Sequence, residues 1–572
     1  MKSKGMHIPK RPVLLLCACL LLSPAGAFGE SFFTGGDADI IAGELAGRMG
    51  DLEALGQVIM LGYTGTLPSE EILTWIREKK IGGVKIFGWN VGSLSDLASS
   101  IGTMQRAAVE ANNGIPLLVA TDQEGGWVRH VKEETSITAG NLAIGATGLP
   151  YDAYYSGYYI GKELKALGIN MNFAPTVDVY TNPGAHVIGP RAFSEDPLKT
   201  AELAVAYFHG LEDAGIISTA KHFPGHGSAG VDSHGKMPII NKSLQELQDC
   251  ELVPYRFLIR EGIPAVMCGH LAFPEITGEP EPATISSYFQ TELLRNKLGF
   301  DGISITDDLL MNGVALTGYT ISEITEKALA AGNDIVLISP GESIHRKVWR
   351  HLYAKMKEDD VFRARIYEAA ERVLRTKLTY LRREDAVPLI PEVENIDSRI
   401  PDPEGKEFFF DLACRSVSVH KKGGIPLDPP KTGEMLLAGQ FRAFLEEGKK
   451  RFPEADTYYF PYDPFYAADI GRMRELASII GDYSTVVFCL ANPNSMEMLM
   501  SLEEGIQRRN IDIVVFSVLT PVYLSRFPWV ESSLAVYGLG RESFQAGFAV
   551  LAGDYYPEGK IPIQIERLIG TE

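Results

Sequence analysis

The sequence predicts an α/β protein, an N-terminal (β/α)8 barrel followed by a smaller α/β sandwich domain. Between residues 36 and 385, eight short apolar runs alternate with longer amphipathic stretches, the pattern of a parallel barrel. Residues 386–405 hold Pro388, Pro391, Pro401 and Pro403 among acidic residues and read as a linker. Beyond it, over 406–572, a second and shorter alternating series begins.

The eight barrel strands are expected at 57–61, 83–87, 116–120, 171–174, 216–220, 265–268, 302–305 and 334–338. A closing helix is expected from Val361 to Leu381, with Asp360 as N-cap and Ile366, Ala369, Val373 and Leu374 on one face. The second domain offers strands at 416–419, 435–438, 457–460, 486–490, 513–518 and 534–537.

Lys2, Lys4, Lys10 and Arg11 precede an apolar run from Val13 to Leu22, followed by the small residues Ser23-Pro24-Ala25-Gly26-Ala27. This reads as a signal peptide cleaved after Ala27, too short for a membrane span, and implies a secreted or periplasmic protein. Lipid attachment at Cys19 is the alternative. Over the full sequence, 45% apolar and 22% charged residues describe a packed globular protein, and a net charge of −19 argues against nucleic acid as partner. Cys250, Cys268, Cys414 and Cys489 are too scattered for a metal or disulfide framework, and Cys268 and Cys489 read as core thiols.

Barrel active sites form where strands end. The third strand runs into Thr121-Asp122-Gln123-Glu124-Gly125-Gly126. The fourth leads to Pro175-Thr176-Val177-Asp178 and, further on, Gly189-Pro190-Arg191-Ala192-Phe193. The fifth opens into Lys221-His222-Phe223-Pro224-Gly225-His226-Gly227, with Asp232-Ser233-His234 after four intervening residues. The sixth precedes Gly269-His270 and the seventh Thr306-Asp307-Asp308. Five successive strands ending in polar or ionisable groups describe one convergent pocket. Within it, Asp232 can orient the His234 imidazole and raise its pKa, fitting that ring to give and reclaim a proton.

These residues resemble glycoside hydrolase family 3, in its β-N-acetylglucosaminidase branch. Residues 221–234 match that branch's signature throughout. Ile305-Thr306-Asp307-Asp308-Leu309 resembles its nucleophile segment, and Asp122–Gly126 and Arg191–Phe193 resemble its sugar-binding segments. The likeness runs from about residue 45 to 380 and more weakly to Pro557–Pro562, which is similar to the end of the family's second domain.

The resemblance implies a secreted, retaining exo-β-N-acetylglucosaminidase that releases terminal GlcNAc from peptidoglycan fragments or chitooligosaccharides. It needs no cofactor or metal. Asp307 would be the nucleophile and the Asp232–His234 dyad the acid/base, with Asp122, Arg191, Lys221 and His222 gripping the terminal sugar and His270 lining the pocket. One departure stands out. The family's Gly-Gly-x-Val-x-Arg reads Gly125-Gly126-Trp127-Val128-Arg129-His130 here, so the arginine comes one residue early and His130 takes its place. On an extended segment that shift reverses the side chain's direction. Trp127 reads as a packed aromatic rather than a sugar platform.

Three other readings remain open from the sequence: a β-glucosidase or β-xylosidase of the same family, a metal-dependent hydrolase using His222, His226, Asp232 and His234, and a catalytically silent sugar-binding protein.

Overall fold

A computed structural model describes residues 32–565, apart from 133, 231–236, 316, 428–433 and 463–468. The leader, with Cys19, and the Asp232–His234 dyad therefore lie outside the described residues.

Eight parallel strands form the first sheet: β1 (Ile59–Gly62), β2 (Gly83–Ile86), β3 (Leu118–Thr121), β4 (Met171–Asn172), β5 (Ile217–Phe223), β6 (Ala265–Cys268), β7 (Ile303–Thr306) and β8 (Val336–Ile338). They neighbour one another in sequence order. β8 pairs with β1, and a bridge from Ile305 in β7 to Ile335 joins the two ends into a barrel.

Strand alternation explains the two cores. Leu118 and Ala120 point inward with Met60, Met171, Ile217, Met267 and Ile305. Leu117 and Val119 point outward against helical residues such as Leu97, Ile101 and Met104. Both faces are covered, so the strands read as continuous apolar runs.

The closing helix runs Asp360–Leu381. Its N-cap is Asp359, whose carboxylate accepts from the amides of Val361 and Phe362, one residue earlier than expected. Within 386–405 the chain makes short helical turns at Val393–Asn395 and Ile396–Arg399. Pro403 then opens the helix Pro403–Ser416, capped by Asp402.

The second sheet has six strands: β9 (Ser418–Lys421), β10 (Met435–Gly439), β11 (Asp456–Tyr459), β12 (Thr485–Leu490), β13 (Asp512–Val518) and β14 (Ser532–Tyr537). Their order is β9-β14-β13-β12-β10-β11, parallel except for the β9–β14 edge pair. Val487 and Cys489 face Phe444, Phe544 and Phe548 on one side. Val486, Phe488 and Leu490 face Met498, Leu499 and Leu502 on the other. That second core also takes in Leu142, Ala143, Tyr180 and Ile188 from the barrel's loops, so apolar packing runs across the boundary between the two sheets. Arg415 to Asp152 and Lys162 to Asp402, both 2.6 Å, add ion pairs near the same seam.

Candidate active site

A cavity of about 580 Å3 opens where the barrel strands end, a volume typical of small-molecule sites. Its floor is apolar, with Phe173, Met267 and Leu337. Charged groups stand above the floor because the loops after β3, β4, β5 and β7 deliver them there.

After β3, Gln123–Gly125 and Val128–Arg129 form a short antiparallel ribbon. Its turn needs Gly125 at φ +90° and Gly126 at φ +62°, and a Cβ on Gly126 would come within 3.0 Å of Gly140 Cα. The turn fixes Asp122 and Glu124 at the base. Arg191 donates from Nε and Nη2 to the two Glu124 oxygens at 2.8 and 2.7 Å, and Lys221 reaches Glu124 and Asp122 at 2.5 Å each. Lys85, on β2, donates to the other Asp122 oxygen.

Burial pushes the Glu124 carboxyl up, but Arg191 and Lys221 outweigh it and hold the group at about 2. Asp122, likewise buried, is held well below the usual carboxylate range by Lys221 and Lys85. Burial alone would lower Lys221, yet Asp122 and Glu124 raise it. Burial depresses Lys85 despite Asp122. The result is a closed network of two carboxylates and three cations.

The β5–β6 register shifts between Lys221 and Phe223, a bulge centred on His222. Consecutive residues Lys221 and His222 consequently both line the cavity instead of alternating. His222 Nδ1 lies 2.8 Å from Asp178 and its Nε2 lies 3.2 Å from Arg191 Nη2. A guanidinium only donates, so Nε2 accepts and Nδ1–H points at Asp178.

The other Asp178 oxygen accepts the His226 amide at 2.7 Å. Burial would raise Asp178, but His222 and His226 hold it at about 2. The loop after β5 is further tied down through Gly227, whose carbonyl accepts from Asn182 and whose Cβ position would lie 1.9 Å from Val179 O. Only glycine fits there.

Asp307 lines the cavity after β7, and its Oδ1 accepts the Asp308 amide at 2.8 Å. Asp308 is raised by burial and braces the loop, accepting from the amides of Leu310 and Ser339. His270 is fully buried behind this turn. Its Nδ1 meets Thr284 Oγ1 at 2.8 Å and its Nε2 the Asp308 carbonyl at 3.0 Å. It is not among the residues lining the cavity, and both ring nitrogens are already taken, so its contribution runs through the Asp307–Asp308 turn.

Asp122, Arg191, Lys221, His222 and Asp307 thus meet in one cavity. For the metal reading, His222 turns one ring nitrogen to Asp178 and the other to a guanidinium, which leaves no lone pair for a cation. Lys85 and Glu124 are site residues the motif reading gave no role, and Asp178, read at the fourth strand's end without an assigned role, proves to be the partner of His222. The available signal for Lys85 was a lysine interrupting the apolar run Gly83-Val84-Lys85-Ile86-Phe87.

The second domain supplies the opposite wall: Tyr462, Ala491, Asn492, Pro493, Leu519, Thr520 and Tyr523. Tyr523 stacks on His186 at 5.5 Å between centroids, with its hydroxyl 3.2 Å from His186 Nδ1. Thr520 Oγ1 lies 3.2 Å from Tyr180 Oη. Trp127 both faces the cavity and packs on the second domain's core, and its Nε1–H is buried with no partner among the described residues.

Residues 49–376 match the glycosyl hydrolase family 3 N-terminal domain. Over 492 residues the chain is 30% identical to the β-hexosaminidase A of Pseudoalteromonas piscicida, covering 79% of each. It is 38% identical over 282 residues to a β-hexosaminidase of Tolumonas auensis, covering 49% of this chain and 81% of that one. The structure of a family 3 β-N-acetylglucosaminidase from Paenibacillus sp. str. FPU-7 superposes with a TM-score of 0.81 at 28% identity, covering 91% of this chain and 99% of that one. With its barrel matched over most of its length and its second sheet in place, the chain belongs to glycosyl hydrolase family 3.

Proposed function

We propose that this protein is a retaining exo-β-N-acetylglucosaminidase that removes terminal GlcNAc from peptidoglycan fragments or chitooligosaccharides. The observation that carries the reading is the cavity itself: a carboxylate, Asp307, on one wall, facing a pre-formed array of charged hydrogen-bonding groups. The relatives named β-hexosaminidase support the sugar.

Asp122, Arg191 and Lys221 bind the terminal sugar's hydroxyls, and His222, expected from the resemblance to grip the sugar as well, lines the site and holds the Arg191 guanidinium through Nε2. Their mutual ion pairs hold them in place before substrate arrives, so little reorganisation is needed on binding. Asp307 attacks the anomeric carbon and forms a glycosyl-enzyme. His234, oriented by Asp232, protonates the leaving oxygen and then takes a proton from the water that resolves the intermediate. The imidazole is neutral after the first step, which lessens repulsion of an anionic acceptor such as phosphate. The leader supports export to the periplasm or beyond, with a lipid on Cys19 as the anchored alternative. Among the described residues, no helix is long and apolar enough to cross a membrane.

Side-by-side rates on aryl β-GlcNAc, β-GlcNAc-MurNAc and aryl β-glucoside test the reading. Turnover of both GlcNAc compounds well above the glucoside is expected. Preference for the glucoside would replace this function with that of a β-glucosidase.

A further inference from the structure

His130 stands where the Gly-Gly-x-Val-x-Arg pattern carries arginine. It lines the cavity, while Arg129 turns away to the Thr135 and Ser136 carbonyls at 3.2 and 3.4 Å. The His130 Nδ1 lies 3.2 Å from Lys85 Nζ, 3.3 Å from the Ile86 carbonyl and 3.7 Å from Asp122 Oδ2. An ammonium can only donate. The Ile86 carbonyl favours a hydrogen on Nδ1, but a charged donor at shorter range outweighs a long neutral bond. Nδ1 is therefore an acceptor, and the ring hydrogen sits on Nε2.

Burial, reinforced by Lys85, lowers the His130 imidazole to about 4, so near neutral pH it carries one ring hydrogen. Among the described residues no protein group takes Nε2, and the side chain is 28% exposed. Lys85 itself is 1% exposed, wedged over the Phe87 and Phe173 rings at 4.7 and 5.0 Å, and lines the cavity beside its partners Asp122 and His130.

We propose that His130 is a substrate-binding residue that presents Nε2–H to a hydroxyl oxygen of the terminal sugar, and that Lys85 is the positioning residue that fixes this tautomer. The pair does with a neutral donor and a buried cation what one arginine does in the usual pattern. This deepens the proposed function and rests on it for the identity of the sugar.

The test is kinetic, using aryl β-GlcNAc and its 3-, 4- and 6-deoxy analogues with the parent and with His130→Ala, His130→Gln, Lys85→Met and Lys85→Met/His130→Gln. His130→Ala is expected to lose about tenfold in kcat/KM on the full sugar and nothing further on one deoxy analogue. Lys85→Met should weaken the same hydroxyl. His130→Gln, whose amide offers an N–H and has no tautomers, should recover to within about threefold. In that background Lys85→Met should add no loss at that hydroxyl. Equal losses across all analogues, or none, overturn the proposal.

A second readout needs no turnover. The 15N spectrum of labelled histidine should show His130 Nδ1 unprotonated in the parent and the hydrogen redistributed in Lys85→Met. A hydrogen on Nδ1 in the parent also overturns it. A parent inactive on aryl β-GlcNAc with Nδ1 unprotonated contradicts the proposed function and leaves the tautomer assignment standing.

Discussion

On the barrel side of the cavity, Asp122, Glu124, Lys85, Lys221 and Arg191 answer one another's charges, and Asp178 holds His222. On the second-domain side, Tyr462, Leu519, Thr520 and Tyr523 present rings, methyls and hydroxyls, with one histidine, His186, stacked against them. The first wall cannot be altered at one residue without stranding a buried charge; the second can. Under the proposed function, a constant terminal sugar suits the first wall and a variable aglycone the second.

The contrast breaks most sharply at Asp307. Asp307→Ala is expected to lower turnover about ten-thousandfold, and a slow 2-fluoro glycoside should label the parent on the peptide carrying Asp307. A label on Asp308 or Glu124 would move the nucleophile. His234→Ala should cost far more on substrates with poor leaving groups than on activated aryl glycosides, and azide should rescue it by forming a glycosyl azide. Equal loss on both substrate types without an azide adduct would make His234 a binding residue.

On the rigid wall, Arg191→Ala leaves Glu124 buried beside Lys221 alone. It should destabilise the fold by about 3–5 kcal/mol, read as a lower denaturation midpoint. The same wall predicts a pH dependence. Glu124 and Asp178 have folded pKa values lowered to about 2, so their stabilisation is complete above the ordinary carboxylate range and lost as pH falls from about 4.5 towards 2. Denaturation midpoints measured across that window should fall. A flat profile would mean that these carboxylates are not held by their ion-pair and hydrogen-bond partners.

Much of this was legible in the sequence. All eight barrel strands and all six of the second sheet lie where apolar runs were read, because parallel strands covered on both faces leave continuous apolar runs. The stretches carrying Asp122, Arg191, Lys221, His222 and Asp307 were legible because strand ends converge in a barrel, and the family resemblance singled out those residues within them. Lys85 was not, because a lysine inside a buried run carries no sign of which face it takes. Asp178 needed the fold, since its partners lie 44 and 48 residues further on. His270 was placed at the right strand end, but periodicity does not tell a cavity-facing histidine from one behind the turn. The second wall was invisible for a different reason: the seating of one domain on another is written in surface shape, not in the spacing of residues.

The adaptable wall should yield the smallest effects. Tyr523→Ala removes the ring stacked on His186 and should cost β-GlcNAc-MurNAc about fivefold in kcat/KM while changing the aryl glycoside by less than about twofold. Equal losses on both would tie the second domain to the sugar instead of the aglycone.

The central claim is double displacement at a terminal β-GlcNAc, and the first-formed product tests it most directly. Proton NMR during the earliest turnover of an aryl β-GlcNAc should show β-GlcNAc appearing before mutarotation, because two inversions restore the starting configuration. Initial release of α-GlcNAc would mean direct attack by water and would contradict the assignment of Asp307 as nucleophile.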